Sequence, residues 1–102
     1  MTHSWTEDWK LMLGADVLGD LAYRTIDQPW FHFDFTPTEH FDRVSGMFNT
    51  ELKLLNDDEM ELWQRAYDEI ADLGLRLVSD SSEVKVESIV LHIDGTMAWL
   101  SD

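Results

Sequence analysis

The chain has 102 residues, with 21 Asp and Glu against 7 Lys and Arg, no Cys, and a formal charge of −14. That length fits one domain, residues 1–102, too small to hide so many carboxylates, so its surface potential is negative nearly everywhere. The cations Lys10, Arg24, Arg43, Lys53, Arg65, Arg76 and Lys85 are scattered, which excludes nucleic acid and anionic membranes as direct partners, and the lack of Cys excludes disulfides and thiolate metal sites.

Met1 to Trp9 lacks a basic region followed by an apolar one, so no signal peptide is expected there. With no Cys, a cytoplasmic location is the expectation. Trp9, Leu11 and Leu13 alternate with Lys10 and Met12, the period of a half-buried strand. A turn at Gly14–Asp16 leads to a second strand over Val17–Ile26, with Gly19 a bulge or close-approach point. After Asp27–Pro29, Trp30–Phe35 places Phe31, Phe33 and Phe35 on one face and Trp30, His32 and Asp34 on the other.

Two helices follow. The first opens near Thr38 as N-cap and carries Phe41, Val44, Phe48, Leu52 and Leu55 as one stripe. The second is expected to open with Asn56 and Glu59 as a capping box. Its stripe is Trp63, Tyr67, Ile70 and Leu73, closed by Gly74 in a left-handed position. Leu75–Val78 is a short extended segment, and Ser79–Ser82 a loop. Val84 and Val86 alternate in one phase, then Ile89, Leu91 and Ile93 in the other, which a bulge near Glu87 and Ser88 would reconcile. Asp94-Gly95 signals a hairpin between Val90–Ile93 and Thr96–Leu100. The expected fold is α+β, an antiparallel sheet of five or six strands in the order β-β-β-α-α-β-β-β with two helices on one face.

Two patterns bear on function. His32-Phe33-Asp34 and His92-Ile93-Asp94 each put a His and an Asp on one strand face. If those strands are neighbours, the four side chains could hold a divalent metal; no other cofactor is signalled. No Gly-x-Ser-x-Gly or Ser-x-x-Lys motif and no glycine-rich phosphate loop occurs, so no reaction is indicated. The acidic run Asp57, Asp58, Glu59 and Glu61 suits a helix N-terminus, and it also suits contact with a basic partner. Trp30 and Trp99, away from the Phe row, are the aromatic anchors such a contact would use. The leading expectation is a non-catalytic interaction module of immunity or inhibitor type that masks a basic protein. The alternatives are a metal- or small-ligand-binding domain and a structural protein that forms a homodimer through its uncovered sheet face.

Asp27–Trp30, Phe35–Thr38, the acidic helix around Trp63 and Tyr67, Leu73–Val78, and Leu91–Gly95 with Ala98 and Trp99 carry a resemblance. On these segments the chain resembles a group of small uncharacterised actinobacterial proteins. The resemblance implies a stand-alone cytoplasmic domain and carries over no catalytic residue. It also suits an acidic proteome, in which the charge would carry no information about a partner.

Overall fold

Alternation at the strand period and stripes at the helical period sort this chain into an α+β domain. The computed structural model describes residues 5–102; residues 1–4, part of the segment read for a signal peptide, lie outside the described residues. Strands β1 (Trp9–Leu13), β2 (Asp16–Asp27) and β3 (Trp30–Pro37) form a meander. Helices α1 (Asp42–Asn56) and α2 (Met60–Ala71) follow. Strands β4 (Arg76–Val78), β5 (Glu83–Lys85), β6 (Val90–Asp94) and β7 (Met97–Ser101) complete one antiparallel sheet, in the order β5-β4-β1-β2-β3-β7-β6.

The sheet has seven strands where five or six were expected. The extra strand comes from the run read as one bulged strand through Val84–Ile93, which is two: β5, paired with β4 beside β1, and β6. The phase change after Val86 is not a bulge in one strand. A single 3-10 turn, Val86–Ser88, ends β5, and the chain crosses to the opposite edge of the sheet to form β6.

Directly paired residues share a face, so the register identifies the inward side. Tyr23 pairs with Phe33, Phe33 with Ala98, and Ala98 with Ile93. One row along, Phe31 pairs with Leu100, and Leu100 with Leu91. Phe33, Phe35, Leu91, Ile93, Ala98 and Leu100 are buried. Each Phe fully withdrawn from water is worth about 2–3 kcal/mol. The Phe35 ring meets Phe41 edge-on at 4.9 Å, and Phe41 stacks on Phe48 of α1 at 6.0 Å. This aromatic chain ties the first helix to the sheet.

Gly19 is a close-approach point, as its isolated position in β2 suggested: a Cβ there would overlap the Phe35 ring. Thr38 caps the turn that enters α1, with its Oγ1 accepting from His40 N at 3.2 Å and donating to Val17 O at 2.6 Å. The expected capping box at Asn56 does not form. Asn56 is the last residue of α1, and Glu59 precedes α2 without a side-chain cap. Trp5, which followed no sequence pattern, is buried against Trp9 at 4.9 Å, and its Nε1 donates to Asp102 Oδ2 at 3.1 Å. No helix among the described residues is long and apolar enough to cross a membrane.

Candidate functional site

Val44, Phe48 and Glu51 follow the i, i+4, i+7 spacing of one helix face, and all three are buried. A carboxylate at the third position needs donors. His92 Nδ1 lies 2.7 and 3.0 Å from the two Glu51 oxygens, and Trp63 Nε1 donates to Oε2 at 2.7 Å. A carboxylate only accepts, so Nδ1 is the nitrogen that carries hydrogen toward Glu51. His92 lies between Leu91 and Ile93, so strand alternation turns it to the face opposite those residues. Glu51 of α1 reaches it there, and His92 is buried together with its partner.

Tyr67 of α2 closes the outer edge of β6. Its hydroxyl donates to Ile89 O at 2.9 Å and accepts from Leu91 N at 2.8 Å, which satisfies groups an edge strand would leave open. Burial pushes the Tyr67 phenol up to about 12; the Leu91 hydrogen bond opposes the rise and the Glu51 charge adds to it.

Outside this network lies an aromatic patch. His92 meets Trp30 at 5.5 Å and Trp99 at 5.4 Å, and His32 stacks on Trp99 at 6.5 Å. His32, Trp99 and His92 form one cross-strand row, because β7 lies between β3 and β6. The neighbouring strands assumed for a metal site are therefore not neighbours. His92 turns to Glu51, exposed Asp34 takes Arg24 at 3.3 Å, and Asp94 lies at the hairpin. Among the described residues, no group of three or more His, Asp and Glu is placed to hold a metal ion.

A cleft of about 480 Å³ opens between α1 and the outward side of β6 and β7. Its walls include Asn49, Leu52, Lys53, Asp57, Asp94 and Trp99. Three residues singled out in the sequence, Asp57, Asp94 and Trp99, thus share one cavity. Among the described residues, neither carboxylate is in a salt bridge, and neither is the Lys53 ammonium. A second hollow, of about 330 Å³, crosses β4, β1 and β2, but Lys10 there already pairs with Asp20 at 2.7 Å.

The acidic run divides between two helix ends. Asp57 N donates to Lys53 O at 3.0 Å and Asp58 N to Leu55 O at 3.1 Å, and Asp58 takes a φ of 57°. These two carboxylates close α1 at the negative end of its dipole, where a negative charge is unfavourable by roughly 0.3–1 kcal/mol. Glu59 and Glu61 lie at the favourable start of α2, beside Met60 and Leu62, which are 49% and 48% exposed. Sequence reasoning singled out His92 as a metal ligand and Trp63 as a stripe residue but missed Glu51, which joins them; the available signal was a carboxylate on an otherwise apolar stripe.

Comparison of the chain with protein-family models, with curated protein sequences and with solved structures returned no match.

Proposed function

We propose that this protein is a non-catalytic acidic docking module of immunity or inhibitor type, which covers a basic surface on a partner protein. The observation that carries this reading is the position of Asp57. It stands at the unfavourable end of α1, without an ion pair among the described residues, in the same cleft as Asp94 and Trp99. The helix dipole disfavours a carboxylate there, and an incoming cation would offset that cost. Met60 and Leu62 are exposed beside Asp58, Glu59 and Glu61 in the chain, and Met97 is exposed opposite Asp94 in the β6–β7 register. Apolar anchors within a charged rim are the make-up of an interface hot spot. A second copy of the chain is a poor occupant, because two bodies of charge −14 repel. Trp30 touches His92 from the β3 side and extends the same aromatic surface.

The test is association kinetics with an immobilised Lys/Arg-rich peptide. The wild type should associate fast at low ionic strength and lose rate steeply as salt screens the charge. Reversing charge at Asp57, Asp58 and Glu61 together should cut the low-salt on-rate by about tenfold or more. An unchanged on-rate would remove the acidic surface from the account.

A further inference from the structure

Resting on the docking reading, we infer that the cleft between α1 and β6–β7 takes an arginine side chain of the partner in preference to a lysine. Asp57 comes from the end of α1 and Asp94 from the β6–β7 hairpin, so two carboxylates reach the cavity from separate elements. Neither is in a salt bridge among the described residues. The rest of the lining is the Trp99 indole, the aliphatic Leu52 and Leu55, the amides of Asn49 and Asn56, and Lys53.

A guanidinium matches all three features. It is planar, weakly hydrated and able to stack on an aromatic ring, and its five N–H donors can serve two carboxylates at once. An ammonium is a strongly hydrated point charge with no plane to lay on an indole, so it loses more water for less contact. The cleft is open to solvent and, at about 480 Å³, has room for a guanidinium side chain. Lys53 also borders the cleft. Its ammonium opposes an incoming cation, so removing that charge should strengthen binding.

The experiment measures equilibrium binding of two fluorescent peptides of equal length and charge, one alternating Arg and Gly, the other Lys and Gly, at low ionic strength. The wild type should bind the Arg peptide at least about threefold more tightly. Asp94→Asn should weaken that preference, leaving what Asp57 and the Trp99 indole supply; Asn-Gly supports the same hairpin turn, so the fold is retained. Lys53→Gln should tighten the Arg peptide by about twofold or more. Equal affinity for the two peptides in the wild type would overturn the arginine inference and leave the docking reading standing. So would a preference that persists undiminished in Asp94→Asn. Failure of both peptides to bind would overturn the docking reading and the inference with it.

Discussion

Removing the Glu51 carboxylate should be among the most damaging single changes in this protein. Glu51 is fully buried and accepts from His92 and Trp63. Glu51→Ala leaves the His92 Nδ1–H and the Trp63 Nε1–H without their acceptor, and each unsatisfied donor costs about 1–3 kcal/mol, so about 2–6 kcal/mol for the two. Domains of this size hold roughly 5–15 kcal/mol in all, so a large share of the stability goes with one side chain. With a urea m-value of about 2 kcal/mol/M, the midpoint falls by about 2 M. Glu51→Gln keeps the shape and one acceptor oxygen, and its amide can face His92 as the other tautomer, so it should cost only about 1–2 kcal/mol. His92→Leu strands the carboxylate and should cost as much as Glu51→Ala. Glu51→Leu with His92→Leu removes both polar partners, leaves only the Trp63 N–H unpaired, and should lose about 1–3 kcal/mol. Urea titration followed by circular dichroism measures all four. A loss under about 1 kcal/mol for Glu51→Ala, or a double variant as damaged as the two singles added, would refute the reasoning.

The Tyr67 phenol is raised from 10.0 to about 12, which ties stability to alkaline pH. Below about pH 10 both folded and unfolded chains keep the proton and the contribution is fully present. Between about pH 10 and 12 the unfolded chain ionises first, so up to about 2–3 kcal/mol is lost as pH rises. Tyr67→Phe should be less stable at neutral pH by about 1–3 kcal/mol and should lack this contribution to the alkaline slope. Identical slopes in urea titrations from pH 9 to 12 would contradict it. Gly19→Ala drives a methyl into the Phe35 ring and should cost about 1–3 kcal/mol by overpacking; an unchanged thermal midpoint would show that the sheet yields there at no cost.

The strand holding Phe31, Phe33 and Phe35 was legible because alternation over six residues has one physical solution. The helix stripes around Phe48 and Tyr67 were legible for the same reason at the helical period. The seventh strand was not, because Val84–Ile93 reads as one bulged run and only the turn at Val86–Ser88 divides it into β5 and β6. Nor could sequence place β7 between β3 and β6, since strand order depends on pairings distant along the chain. That one placement moves His32 and His92 apart and brings Trp99 between them. The acidic run was found, but its sense turned on where α1 stops. The helix continues through Asn56, and Asp58 tolerates the left-handed backbone that ends it. Two carboxylates expected at a favourable helix start therefore stand at an unfavourable helix end. Glu51 and His92 are 41 positions apart, so neither marks the other in the sequence.

An amide and indole NMR titration with the Arg/Gly peptide reads directly whether a cation enters the cleft at Trp99, as proposed. The indole N–H of Trp99 and the amides of Asn49, Lys53, Asp57 and Asp94 should shift together as the peptide is added, while the buried Trp5 and Trp9 indoles stay in place. Shifts confined to other acidic surface, such as Asp8, Asp20 and Asp80 across β4, β1 and β2, would contradict the claim.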